Sequence, residues 1–403
     1  MMVEEINKLR FEMQSELVRN ILPFWMNKSV DKEFGGFYGQ INGFGQVVSG
    51  AEKGGILNSR ILWTFSAAYN QLKDHGYRQM ADYSKNYVLA HFFDDTCGGT
   101  YWTINAEGRP ADTKKQIYSQ AFFIYAMAEY FKITGDRVCL DKAISLYHLI
   151  EDKSFDKQLN GYFEAYSHDW KLLDDLRLSA KDANEKKTTN THLHILEAYA
   201  NLYRVWKDKE LGSKLKNLVH IFLEKIIDPE SHHLQLFFDD HWNSRSSLIS
   251  YGHDIEASWL VYEAAEVLED NDLLKKVKSA CIALAIASLE GLQDDGSLIY
   301  EKDEPEGITD MDRHWWPQAE TVVGLINLYD LTRNDLYLAQ AIKCWKYITK
   351  NLIDHKNGEW FWSIKADGKP NLLEDKAGFW KCPYHNARAC LEVISRCERM
   401  MNN

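Results

Sequence analysis

The segment GGFYG at 35–39 decides how this chain is read, because it returns. Variants occur as GGTYW at 98–102, NGYFEAY at 160–166, HHLQLFF at 232–238, DGSLIY at 295–300 and NGEWFW at 357–362. Each is a turn followed by aromatic or apolar residues. Aligned on the second turn residue, they fall at 36, 99, 161, 233, 296 and 358, with steps of 63, 62, 72, 63 and 62. A recurring period of this length marks a repeat architecture, and six units account for essentially the whole chain. The fourth unit is degenerate, with His233 where the others carry glycine.

Two helical stretches flank every turn. Amphipathic helices are expected before it, over 3–28, 77–93, 137–155, 208–227, 271–292 and 334–353. More apolar ones are expected after it, over 57–72, 116–134, 190–206, 253–268, 316–332 and 386–397. Ile61, Phe65, Ala68 and Leu72 show the helical spacing. The stretch AFFIYAMAEYF at 121–131 is apolar nearly all round, as a helix buried on both sides should be. The turn segments read as short period-2 runs, small β-hairpins. An open stack of such pairs needs polar repeats at its ends. Here the last helix, NARACLEVISRC, is as apolar as the middle ones, and closing the ring would cover it. The expected fold is therefore all-α, an (α/α)6 barrel of six helix-pair repeats with hairpin-like turns. It would form a single domain over 1–403, with the second helix of each pair inside and six helix N-termini converging on one mouth.

Composition narrows the function. The 403 residues carry 47 Lys and Arg against 59 Asp and Glu, a net charge of −12. A negative surface argues against nucleic acid or an anionic membrane as partner. The 13 Trp, 21 Tyr and 18 Phe exceed what one core needs and suggest a stacking surface for a flat ligand face. Seven cysteines, at 97, 139, 281, 344, 382, 390 and 397, include no C-x-x-C pair and read as reduced thiols in a cytoplasm. The charged N-terminus has no apolar signal core, and the most apolar stretch, 280–289, is too short to cross a bilayer. No dinucleotide loop, phosphate loop, G-x-S-x-G elbow or H-E-x-x-H occurs, so neither a cofactor nor a metal is expected.

The six inner-helix starts carry the candidate chemistry. They hold Asn58-Ser59-Arg60; Tyr118; Asn190 with His192 and His194; His253 with Glu256; Arg313-His314-Trp315-Trp316 with Glu320; and Trp380 through His385. Such residues would be costly in a barrel core but suit a lined pocket at a solvated mouth. His253 and Glu256 are three apart and share a helix face, where a carboxylate could fix the imidazole tautomer. The plainer reading makes Glu256 a first-turn acid favoured by the helix dipole. His253 and His385 stand at equivalent points across the ring, able to reach one bound atom from opposite faces. Arg60, between Ser59 and an apolar run, suits a pocket better than a surface salt bridge. His192 and His194 are two apart and point to different helix faces.

The segments SRILW at 59–63, YGHDIEASWL at 251–260, WWPQAE at 315–320 and WKCPYHNARACLE at 380–392 resemble the cellobiose 2-epimerases of the N-acylglucosamine 2-epimerase superfamily. The resemblance runs to about residue 397. It implies an (α/α)6 barrel that epimerises the reducing-end glucose of β-1,4-linked disaccharides at C2, giving the mannose form, without metal or nucleotide. By motif, it implies His253 and His385 as the acid/base pair, Glu256 orienting His253, and Arg60 at the oxygen that becomes the enediolate. It further implies Tyr118, Asn190 and His194 holding the reducing-end sugar, Trp316 and Trp380 against the sugar rings, and Glu320 in support. Asn58 replaces the histidine that many relatives carry before Ser-Arg. The implied partner is a small-molecule disaccharide, with no nucleic acid or membrane, in a monomer or weak homo-oligomer. The competing expectations are an N-acylglucosamine epimerase or mannose isomerase, a glycoside hydrolase using Glu256 and Glu320, and a non-catalytic repeat scaffold.

Overall fold

The computed structural model describes residues 2–402. Among these residues, twelve helices alternate between two concentric rings. The outer helices are α1 (2–27), α3 (His75–His91), α5 (Arg137–Lys153), α7 (209–226), α9 (Asn271–Ser288) and α11 (335–352). The inner helices are α2 (Gly55–Leu72), α4 (Ile117–Thr134), α6 (Thr189–Val205), α8 (Tyr251–Leu268), α10 (Trp315–Thr332) and α12 (Tyr384–Asn402). Outer helices start where a short acid or amide caps them. Asp74, Asp136, Asp208, Asp270 and Asn334 each accept backbone N–H bonds from the first turn. Each inner helix packs on the next, and α12 returns to α2, so the ring closes. The outer α1 covers α12, which is why the last helix could remain apolar. Helix α4 is buried from Ile117 through Tyr130. The outer α9 buries one face only, leaving Ile286 exposed, whereas the apolar run 280–289 would suggest full burial.

The turns lie at the mouth, between the C-terminus of each outer helix and the N-terminus of the following inner one. Five of them are built alike: Asp31, Asp94, Asp156, Asp228 and Asp354 each turn one carboxylate oxygen to two backbone N–H groups two and three residues on. Four of these acids also hold a buried lysine, as Lys53–Asp31, Lys115–Asp94, Lys187–Asp156 and Lys376–Asp354 pairs. The expected hairpins exist mainly as single bridges, such as Phe93 to Thr100 and Ile353 to Trp360. The two-residue strands instead pair between neighbouring repeats, Lys53-Gly54 with Thr103-Ile104 and Lys187-Thr188 with Phe237-Phe238. The Ile41–Ala377 bridge joins the first repeat to the last. The rim is thereby laced around the mouth.

The degenerate fourth turn has a structural explanation. His232 takes the left-handed backbone there, with φ of 64°. His233 is free of that constraint and turns inward, placing Nδ1 2.6 Å from Asp254 Oδ2. The lysine that staples other turns is Ile249 at this point in the fourth unit, and the His233–Asp254 contact ties the turn to α8 in its place.

Candidate active site

The inner-helix N-termini bring His194, His253, His385, Arg60, Tyr118 and Trp316 into one cluster of contacting side chains. The indole of Trp316 is the wall shared by the two expected acid/base residues. Its ring centroid lies 4.7 Å from that of His253 and 5.6 Å from that of His385. Gly252 permits this packing, since a Cβ there would sit 2.6 Å from the Trp316 ring. The expected placement across the ring needs correction: α8 and α12 are the two neighbours of α10, so His253 and His385 flank Trp316 from either side of it.

Each imidazole is held by one nitrogen. His385 Nδ1 lies 2.7 Å from Glu320 Oε1. Glu320 also accepts from Arg388 Nη2 at 2.6 Å and Trp259 Nε1 at 3.0 Å. Donors converge on both of its oxygens, so Glu320 is an ionised acceptor, and Nδ1 of His385 carries the hydrogen. Nε2 is then the nitrogen left for a ligand. Burial, followed by the charges of Arg60 and Arg388, pushes the His385 pKa well below the ordinary value. His253 Nδ1 lies 2.8 Å from Ser250 Oγ, and burial lowers its pKa to about 3. Both rings therefore start neutral at pH 7.

The expected link from Glu256 to His253 needs correction. Glu256 accepts from Arg388 Nη2 at 2.5 Å, while His253 is oriented by Ser250. Glu256 Oε1 stands 3.8 Å from His385 Nδ1 instead. Burial and the nearby Glu320 raise its pKa to about 7, against the pull of Arg388.

Arg388 is the hub beneath the cavity, and the motif reading missed it. Its guanidinium binds Glu197, Glu256 and Glu320, three buried carboxylates on three helices, and also the Tyr384 hydroxyl. Glu197 in turn accepts from Tyr384 at 2.6 Å and contacts His194 Nδ1 at 3.0 Å. Burial pushes its pKa up, but Arg388, His194 and Tyr384 together outweigh that and bring it down to about 2. An arginine one turn into NARACLEVISRC and a lone glutamate inside HLHILEAYANLY were the available signals. Glu256 and Glu320 are bound to the same Arg388 nitrogen, so a glycosidic bond has no room between them. That removes the hydrolase arrangement, which needs the two carboxyl groups on either side of a sugar.

Arg60 is 2% exposed. It donates to Tyr118 Oη at 2.7 Å, lies 3.8 Å from Cys382 Sγ, and stacks over Phe122 and Tyr384 at 4.1 and 4.5 Å. Among the described residues no carboxylate pairs with it; its polar neighbours are Tyr118, Tyr384 and Cys382. A buried cation with aromatic faces and no counter-ion is a receptor for developing negative charge. His194 packs edge-on to Tyr118 at 4.9 Å. Trp380 is half-buried beside Tyr118 and Trp102, at 5.9 and 6.0 Å. Asn190 is half-buried at the start of α6, with no side-chain hydrogen bond among the described residues. Two neighbours of these residues are structural. Asn58 donates back to Gly54 O, and His192 Nε2 accepts the Tyr162 N–H at 2.9 Å.

The model of the N-acylglucosamine 2-epimerase family matches residues 36–389. The chain belongs to that family. It is 52% identical to a cellobiose 2-epimerase of Bacteroides fragilis over 386 residues, covering 96% of this chain and 98% of that one. It is 38% identical to a cellobiose 2-epimerase of Ruminococcus albus, covering 96% and 98%. The solved cellobiose 2-epimerase of Bacillus thermoamylovorans superposes with a TM-score of 0.93 at 43% identity, covering 97% of this chain and all of that one. As a member of this family the chain is a carbohydrate epimerase, and its fold is the (α/α)6 barrel. All seven cysteines are free, and among the described residues no helix is long and apolar enough to cross a membrane.

Proposed function

We propose that this enzyme epimerises the reducing-end glucose of β-1,4-linked disaccharides such as cellobiose and lactose at C2. One observation carries the proposal: two neutral imidazoles share the Trp316 wall beside a buried guanidinium that lacks a counter-ion. The pyranose first opens, because a C2 proton is acidic only beside a carbonyl. A histidine relays the O1 proton to the ring oxygen. One imidazole then removes the C2 proton through its free nitrogen. The electron pair moves into the C1 carbonyl and leaves the charge on O1. Arg60, with the Tyr118 hydroxyl it holds, stabilises that charge. The other histidine takes up a proton from solvent and delivers it to the other face of C2, the first histidine releases its captured proton to solvent, and ring closure gives the mannose form. Glu320 stabilises His385 whenever it becomes an imidazolium. Trp316 and Trp380 stack on the sugar, and His194 and Asn190 hold its hydroxyls.

No step needs a metal or cofactor in this scheme. The test is product analysis after incubation with cellobiose, lactose, N-acetylglucosamine and mannose. Glucosyl-mannose from cellobiose supports the proposal. Turnover of N-acetylglucosamine or mannose alone would replace it with the monosaccharide epimerase or isomerase reading.

A further inference from the structure

We propose that Cys97 and His168 form a rim site for a thiophilic divalent cation of the zinc class, separate from the sugar cavity. Six of the seven cysteines are buried, and Cys97 alone is partly accessible. Its Sγ lies 4.0 Å from Nδ1 of His168. The other ring nitrogen, Nε2, lies 2.7 Å from Oδ2 of the buried Asp94. Asp94 also pairs with Lys115 at 2.7 Å and accepts two backbone N–H bonds, so it is an ionised acceptor. It therefore takes the Nε2 hydrogen of His168 and leaves the Nδ1 lone pair facing the sulfur. This is the carboxylate–histidine arrangement that stands behind many metal ligands.

The spacing suits one shared ion. Zn–S and Zn–N bonds of about 2.3 and 2.05 Å at a tetrahedral angle put the two ligand atoms roughly 3.6 Å apart. The imidazole ring, 41% exposed at its side chain, can supply the few tenths of an ångström required. The remaining coordination positions open to solvent and take water. Binding releases the thiol proton to solvent, and no electron is transferred.

The repeat itself argues that the pair is additional to the architecture. The position three after the turn acid is Phe34, Leu159, Ser231 and Asn357 in the other units built on such an acid, so the turn does not require a thiol. The position of His168, two before the rim tryptophan Trp170, is Asp240 before Trp242 in the next unit. Among the described residues, the one cysteine–histidine contact is the one made between the second and third units. The two ligands are 71 positions apart, which is why no metal-binding pattern is visible in the sequence.

The test is a titration of reduced, metal-free protein with cobalt(II). The expected result is a sulfur-to-cobalt charge-transfer band in the near ultraviolet, saturating at one equivalent and bleached by zinc. It should be absent in Cys97→Ser and need at least tenfold more cobalt in His168→Gln, with epimerase activity kept in both variants as the check on folding. Absence of the band in the wild type at millimolar cobalt, or its survival in Cys97→Ser, overturns the site. The Cys97–His168 contact would then be an ordinary thiol–imidazole hydrogen bond.

Discussion

Glu320→Gln isolates the support beneath His385 with little change of shape. Three donors converge on Glu320: His385 Nδ1 at 2.7 Å and Arg388 Nη2 at 2.6 Å on one oxygen, and Trp259 Nε1 at 3.0 Å on the other. A glutamine has one acceptor oxygen, so its NH2 must face at least one donor. The least costly placement turns NH2 toward Trp259 and keeps the oxygen on His385 and Arg388. The His385 tautomer then survives, but the imidazolium formed during proton transfer loses its anionic partner. A charge-assisted hydrogen bond is about twice as strong as a neutral one, a difference of about 1.5 kcal/mol here. Since 1.36 kcal/mol is tenfold in rate, kcat should fall about 10-fold, and up to about 100-fold if the pocket also relaxes. KM should change little, because Glu320 lies behind the histidine. The orphaned Trp259 N–H should cost about 1–3 kcal/mol of stability. Loss of one carboxylate from a cluster of three around one arginine offsets part of that cost. Initial rates of cellobiose epimerisation and a thermal melt measure both. A kcat within twofold of wild type, or a loss confined to KM, would refute the role given to Glu320.

Other outcomes follow from the same geometry. Arg60→Met removes a buried cation with no carboxylate partner, so stability should change by less than about 1 kcal/mol while kcat falls about 10²- to 10³-fold; kinetics beside a thermal melt check this. His192→Ala should cost about 1–3 kcal/mol of stability by orphaning the Tyr162 N–H yet leave kcat near wild type, whereas His194→Ala should depress activity, as denaturant unfolding and rate assays would reveal. Glu164 is buried between the Thr188 N–H and the Thr191 hydroxyl, and burial raises its pKa to about 8. Because the folded pKa exceeds the unfolded one, its contribution is fully present below about pH 4.5 and is lost as pH rises toward 8, about 3–5 kcal/mol in all. Glu164→Gln should therefore flatten the stability curve and raise the melting temperature at pH 8, with activity unchanged.

The architecture was legible because it repeats. The aromatic turns set the period, and the inner helices start within about two residues of the expected positions, for example α6 at Thr189 and α10 at Trp315. The β-hairpins were expected within each unit, and the structure pairs most strands between units; pairing across a repeat boundary leaves no local pattern. The residues at the mouth stood out because polar groups at helix starts are visible against apolar runs. Arg388 and Glu197 were hidden because they lie one turn deeper, inside sequences that read as core. Their charges balance only across the barrel, between α6 and α12, a pairing 191 positions apart. Glu256 was given the wrong partner for a related reason. Spacing of three places it on the face of His253, but the nearest opposite charge, Arg388, comes from another helix.

The central claim is that a hydrogen leaves C2 to one imidazole and one returns from the other side. Proton magnetic resonance of the product formed from cellobiose in D2O tests it most directly. The mannose-form product should carry one deuterium at C2 and none at C1 or C3 of the same residue. An epimer formed with its original hydrogen still at C2, or label appearing elsewhere on the ring, would contradict proton exchange through these two histidines.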